Sequence, residues 1–530
     1  MYIMKENVAR TSGEDALSNI LSVSSIVGEV VRTSIGPRGL NKMLVGSFGD
    51  VTYSKSGITI LSEANIEHPV GKLYVEAAKT LDKNEGDGSS RAIFLTSRLV
   101  RHGADLYEKG IHPAIVAQGY ADALKFCTAI LGRMAMNAPP SNKEGVRNVV
   151  RTILLPTLSR SDLQASDKFT DLIMEAVDSV SEQIDGQMKL DSDNVAIISK
   201  AGGDVSSSSL VKGLIIEKEI VHPNMPDRIL GARIAIIDFP LEVKKTEISS
   251  ELEFTDPQSY MKLKAEERKS VTDKIKKVLD SGANVLICQK GIDDTSSSSL
   301  AKAGILAIKN VKRSDIEKLA RATGGKIVSY YLDVTPAILG SASVVEERKL
   351  ENEKAVMIEG GLKSRSVSIL LRGVNKELMK ENERAIKKAL AGIQMLFTEP
   401  KVVPTGASDF AELAIRTKRY STNKKGEMAM VIEAFSDSLT DVVQAIADNS
   451  GMKVTKALGD LRAAHSNKKG TYVGIDSVKG EIADAKKRGI WEPLRTVRTI
   501  LNSSTELASI LLRIDDMLLS MKMPEKKQQE

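Results

Sequence analysis

Two cysteines, Cys127 and Cys288, and a single tryptophan, Trp491, are all that 530 residues contain of either type. So few thiols exclude a disulfide-stapled scaffold. Two lone cysteines with five scattered histidines do not make a metal site either. Both cysteines sit in apolar surroundings, KFCTAI and VLICQK, where buried free thiols are expected. Aromatic residues are 4% of the chain, too few for a protein that stacks nucleic-acid bases. A net charge of +6 is small for this length and gives no argument for specific nucleic-acid binding. No run approaches the roughly 18 apolar residues of a membrane helix. The N-terminus, MYIMKENVAR, has no apolar stretch of signal-peptide length. The expectation is a cytoplasmic protein with reduced thiols and no membrane partner.

What is present is an ordinary globular balance, 42% hydrophobic and 27% charged. A chain this long divides into about two to four domains. Glu14 to Ser34 has apolar residues at helical spacing, from Leu17 and Ile20 to Val30 and Val31, and stops at Gly36, Pro37, Arg38 and Gly39. Asp50 to Leu61 reads as β structure around a turn at Lys55, Ser56 and Gly57. Val70 to Leu81 and Ser90 to Gly103 read as helices flanking a Gly86, Asp87, Gly88 loop, with Asp87 suited to start the second. From Gly213 to about Gly361, short β-branched runs such as ARIAIIDFPLEV and ANVLICQKG alternate with turns and helices, which is α/β punctuation. A charged amphipathic stretch over Asp256 to Leu279 interrupts it. Helical signal returns from Lys376 to Leu396 and dominates after Val402. Two serine tracts, Ser206 to Ser209 and Ser296 to Ser299, read as loop or weak helix.

Long blocks along the chain resemble group II chaperonins, the family of the archaeal thermosome and the eukaryotic cytosolic chaperonin. They include RTSGEDA, TSIGPRGLNKMLV, GDVTYSKSGITIL, EGDGSS, GIHPAIVAQGY and KEIVHPNMPDRI. AKAGILAIKNVKRSDIEKLARATGGKIV, LRAAH, RGIWEP and LLRIDD follow in the family's order, from about Thr11 to Asp516. The resemblance implies a multidomain α and α/β architecture. A mainly helical equatorial domain would take 1–142 and 402–530, and a hinge-like intermediate domain 143–212 and 364–401. An inserted α/β apical domain would take 213–363, with a helical lid protrusion at about 256–279. Tyr260, Met261 and Leu263 near the start of that helix are candidates to hold unfolded polypeptide. Gly49 to Leu61 resembles a hairpin that pairs with a neighbouring subunit, and Leu511 to Met517 the terminal strand of the same sheet. A ring follows, with other chaperonin subunits as partners, in a hetero-oligomer.

The resemblance also implies ATP and Mg²⁺ as cofactors. A triphosphate needs backbone N–H donors, glycines that allow close approach and a carboxylate for the metal. Ile35, Gly36 and Pro37 match the family's phosphate loop. Gly86, Asp87, Gly88, Ser89 and Ser90 match its GDGTTT loop, in which the aspartate is the metal ligand. Arg91 replaces the third hydroxyl residue. Gly57 follows the hairpin turn, and Gly406 is the one glycine left of a GGGA turn, now Thr405 to Ser408. Glu492 matches an acid that accepts from the ribose; read alone it is a plain surface acid.

The catalytic positions depart from the pattern. Ser56 stands where the family has one catalytic aspartate, and Lys388 where it has the other. Read alone, Lys388 is a solvated helix face. Thr157 stands for a lysine that senses the terminal phosphate. Losing a general base typically costs about 10² to 10⁴ in rate. The expectation is a chaperone subunit that binds unfolded chains and ATP but hydrolyses ATP weakly or not at all. The alternatives are a fully active ATP-hydrolysing subunit and a structural ring subunit that does not use nucleotide.

Overall fold

The computed structural model describes residues 8–46, 49–156, 158, 163–184, 187–242, 257–350, 353–361, 366–467 and 470–520. Two compact units emerge. One joins the chain ends, Met1–Thr170 with Lys380–Glu530; the other is Asp171–Met379.

The first unit is mainly helical. Glu14–Arg32, Pro69–Glu85, Ser89–Glu108, Pro113–Met134, Ser408–Ser421, Glu427–Asn449 and Leu494–Leu512 contribute to one core. The helical spacing over Glu14 to Ser34 is explained by Ile20, Val27 and Val31, which are buried in it. Each fully buried aliphatic side chain of this kind contributes about 1.5–3 kcal/mol. Gly28 lets the first helix lie against Ser89–Glu108, because a Cβ there would stand 2.1 Å from Ser97 Oγ. Cys127 is a buried free thiol, and burial pushes its pKa up to about 12.

Pro113–Met134 is, by length and composition alone, apolar enough to cross a membrane. Its Val116, Tyr120, Ala123 and Leu131 are buried in the core, and core packing accounts for its composition.

The β segments near the chain ends also differ from their sequence reading. The hairpin is Lys42–Val45 with Val51–Ser54. Past Lys55 the chain forms a helix, Gly57–Glu63, although ITIL is β-prone. Ile60 and Leu61 are buried, so burial on helical spacing overrides local propensity. The terminal strand is Asp516–Ser520, not Leu511 to Met517; Leu511 and Leu512 end the preceding helix. That strand pairs antiparallel with Val8–Ser12 of the same chain.

The second unit holds a seven-stranded mixed sheet. Leu306–Ile308, Val285–Cys288 and Arg228–Ile237 run parallel, and Ile327–Val328 pairs parallel with the last. Gly340–Leu350, Glu353–Glu359 and Gly213–Ile216 continue it antiparallel. Past the exposed Arg233, the run Ile234 to Ile237 is apolar throughout because both faces are covered. Ile234 and Ile236 pack into one core, Ala235 and Ile237 into the other. The charged helix is Pro257–Asp280; the side chains of Tyr260, Met261 and Leu263 lie outside the described residues. The first serine tract runs from a 3-10 turn, Val205–Ser207, into a strand, Ser209–Val211. The second lies in the helix Asp294–Lys302, capped by Asp293, whose Oδ1 accepts from Ser296 N at 2.7 Å.

Candidate functional site

A cavity of about 450 Å³ opens in the first unit. Its walls come from turns far apart in the chain.

Ser34 to Pro37 form the first wall. Gly36 has φ +84, a left-handed conformation that a side chain would strain. Two side chains pin this turn. The Asn449 amide donates to the carbonyls of Arg32 and Ile35, each at 2.8 Å. Arg38 donates to the carbonyls of Ser450 and Val478, each at 2.7 Å.

The second wall is Asp87 to Arg91. Asp87 stands between two left-handed glycines. Gly86, at φ +71, ends the helix Pro69–Glu85, and Gly88, at φ +91, precedes Ser89–Glu108. Gly88 rather than Asp87 therefore occupies the N-cap position, and no side chain caps this helix. An uncapped N-terminus at a cavity wall leaves backbone N–H groups for an anion. Ser89 is buried, and Ser90 Oγ donates to Lys55 O at 3.2 Å.

Gly57 and Gly86 support the walls without lining the cavity. A Cβ on Gly57 would stand 2.8 Å from Ser90 N. A Cβ on Gly86 would stand 2.8 Å from Ala391 Cβ and 3.5 Å from Lys388 O. The Asp87 loop thus rests directly on the helix Lys376–Thr398.

That helix brings Lys388 to Ser56. Lys388 Nζ donates to Ser56 Oγ at 3.5 Å and lies 3.6 Å from Asp87 Oδ1. Asp82, one turn before the loop, is raised by its burial, opposed by Lys388, while Asp87 pushes it further up. The amine therefore sits among two carboxylates and a hydroxyl. Thr157, expected to stand at a phosphate-sensing position, lies outside the described residues.

At the other end, the strand Trp491–Pro493 pairs with Lys401–Pro404, with Glu492 opposite Val403. This places Glu492 beside the Thr405 to Ala407 turn. Gly406 has φ +70 and lines the cavity. Ala407, also at φ +65, takes a left-handed conformation that suits glycine. Glu492 is buried but not free: Arg91 Nη1 donates to Oε2 at 2.8 Å, and Nη2 donates to Oε1. Asp409, fully buried beside this pair, has its pKa raised to about 6 by burial; Arg91 pulls it down and Glu492 pushes it up.

Six cationic side chains line the cavity: Lys55, Arg91, Arg151, Lys388, Lys479 and Arg488. Four carboxylates do, and each is engaged. Asp87 faces Lys388, Glu492 holds Arg91, and Asp167 pairs with Arg151 at 2.9 Å. Asp476 Oδ1 accepts from the amides of Val478 and Lys479. Asn148, Arg151, Lys479 and Arg488 carry no local motif, so sequence reading missed them; only the packing of distant turns shows their place.

The dimensions and the cationic lining suit a nucleotide triphosphate. A magnesium ion at Asp87 does not suit the geometry. Mg²⁺ requires near-octahedral oxygens at about 2.1 Å, and Lys388 Nζ already occupies the approach to Asp87 Oδ1 at 3.6 Å. A divalent ion about 4 Å from that amine meets roughly 8 kcal/mol of repulsion at an effective dielectric near 20. Among the described residues, no group of three or more histidines, cysteines or acids could hold a metal.

The sequence pattern of the TCP-1/cpn60 chaperonin family matches residues 27–522, and the chain belongs to that family. Thermosome subunit alpha of Archaeoglobus fulgidus is 39% identical over 518 residues, covering 98% of this chain and 94% of the relative. Thermosome subunit beta of Desulfurococcus mucosus is 40% identical over 504 residues, 95% of this chain and 100% of the relative. The thermosome subunit of Pyrococcus horikoshii is 38% identical over 530 residues, 100% of this chain and 96% of the relative. These likenesses place the chain in group II of the family.

Proposed function

We propose that this chain is a folding chaperone: a subunit of a chaperonin ring that binds unfolded polypeptide and ATP, and that hydrolyses ATP weakly or not at all. The carrying observation is the pair Ser56 and Lys388, 3.5 Å apart where hydrolysis would need an acceptor for the proton of water. A serine hydroxyl is a poor base, and a lysine ammonium accepts no proton. The four carboxylates on the cavity wall are already held by cations or amides. None is a ready substitute for the missing base.

Binding has better support than turnover. The Gly36 turn, the uncapped start of Ser89–Glu108 and six lining cations suit a polyphosphate. The ring is supported by the hairpin, whose Met43 and Val45 are 62% and 64% exposed in a two-stranded sheet with open edges. Polypeptide binding is supported by the α/β unit, where Leu230, Tyr330 and Leu332 are exposed. The finer division into equatorial, intermediate and apical domains, with bounds at 142, 212, 363 and 401, belongs to the same proposal, as does a cytoplasmic, mixed ring.

A ring subunit that ignores nucleotide is the competing reading, favoured by the Arg91 grip on Glu492. ATP binding and turnover by the purified chain, alone and with co-purifying subunits, decide between them. Binding with little turnover is expected. Turnover at the rate of an intact chaperonin would sink the proposal, and absence of binding would favour the structural subunit.

A further inference from the structure

We propose that the cavity takes ATP without a divalent cation, with the Lys388 amine supplying the positive charge that a magnesium ion would bring. The inference rests on the nucleotide-binding reading above and adds the ionic form of the ligand.

Three observations carry it. First, Lys388 is held in place. Its amine lies between Ser56 Oγ at 3.5 Å and Asp87 Oδ1 at 3.6 Å, and its side chain is only 13% exposed. Second, the loop is backed by the helix that carries Lys388. A Cβ on Gly86 would stand 2.8 Å from Ala391 Cβ and 3.5 Å from Lys388 O, so the loop has no space behind it on that side. Third, the acids near the amine are balanced by it. Asp82 has a buried oxygen with no hydrogen-bond partner, and Lys388 opposes the rise that burial imposes on this carboxyl. A metal at Asp87 would have to share that carboxylate with the Lys388 amine, which already lies 3.6 Å from Oδ1. Bringing in a metal-free triphosphate requires only that the amine share its face with a phosphate oxygen.

The charge inventory agrees. With six cations against four engaged carboxylates, the lining favours a tetra-anion over the less negative magnesium complex. Metal-free binding also removes a second requirement of phosphoryl transfer, because a metal ion neutralises the charge that develops on the phosphates. ATP would then act as a bound ligand rather than a fuel.

The test is ATP binding by isothermal titration calorimetry with the assembled protein, in EDTA and in excess Mg²⁺. Affinity in EDTA should equal or exceed that in Mg²⁺. Tightening by Mg²⁺ of more than about twofold overturns the inference while leaving nucleotide binding intact. No binding in either buffer brings down the nucleotide reading, and this inference with it. Lys388→Asp should reverse the preference, with Mg²⁺ tightening ATP binding by about tenfold or more. Electron paramagnetic resonance with Mn²⁺ reads the site without any turnover. With ATP present, the unmodified protein should leave only the spectrum of the Mn²⁺–ATP complex that forms in free solution, and Lys388→Asp should broaden it further by immobilising the ion on the protein. Immobilised Mn²⁺ in the unmodified protein, or none in a folded Lys388→Asp variant, overturns the role given to Lys388. If that variant does not assemble, the two-buffer titration of the unmodified chain decides alone.

Discussion

The glycine turns of the cavity and the side chains that face them have different histories written into their chemistry. Gly36, Gly86 and Gly88 hold left-handed backbone, and the cavity's shape follows from them. Ser56, Lys388 and Arg91 point into the same space but set only its charge. A turn that needs φ near +80 tolerates little beyond glycine, because any Cβ strains it. A side chain on a formed wall can be exchanged if its new charge finds a partner. Lys388 found Asp87, and Arg91 found Glu492. Cavity shape and cavity charge are therefore separable in this fold, the first set by backbone turns and the second by side chains.

The comparison breaks most visibly at Arg91. Arg91→Ala leaves Glu492 and Asp409 buried without their shared cation. Removing one partner of a buried pair costs about 3–5 kcal/mol. Urea denaturation followed by a signal from the first unit should show that loss. A change below about 1 kcal/mol would mean that the pair is solvated and the wall charges matter little.

Asp409 gives a pH test of the same wall. Its carboxyl is raised from 3.8 to about 6 in the folded chain. A folded acid that holds its proton more tightly than the unfolded one loses stability as pH rises through this window. Stability should thus fall between about pH 4 and 6 by on the order of 3 kcal/mol and then level off. Asp409→Asn should flatten that slope in denaturation curves taken across the range. An unchanged slope would assign the pH dependence elsewhere.

Ser56→Asp combined with Lys388→Asp restores two acceptors. ATP turnover should rise by at least about tenfold, with ATP affinity measured in parallel because Arg91 still holds Glu492. The idea fails if the unmodified chain, free of other subunits, already turns over ATP as fast as the double variant. The smallest effect belongs to the backbone. Among the described residues, Ala407 is the one wall position where a residue other than glycine holds a left-handed turn. Ala407→Gly should stabilise the first unit by about 0.5 kcal/mol, relief of strain outweighing the added chain entropy. Thermal melting of both forms reads the sign.

Most of the architecture was legible in the residues. The Glu14 to Ser34 periodicity became a helix of nearly the same bounds, and the β-branched runs after Gly213 became one sheet. The misreadings cluster where local and tertiary preferences disagree. ITIL after Gly57 is β-prone in isolation and helical once Ile60 and Leu61 meet the core. Asp87 has capping chemistry, yet Gly88 takes the cap because the loop must bend with positive φ on both sides.

The sequence alone determined the residue types at the site: glycines where backbone must turn left, hydroxyls in the Ser89 and Ser90 pair, and a serine and a lysine at positions 56 and 388. Those are identities, and identity is readable position by position. Only the tertiary structure decided what these groups do to one another. Ser56 and Lys388 lie 332 residues apart in the chain and 3.5 Å apart in space. Glu492, a plain surface acid by its surroundings in sequence, is buried under Arg91, 401 residues away. Electrostatic energy depends on distance and on exclusion of water, and neither exists until the helices have packed.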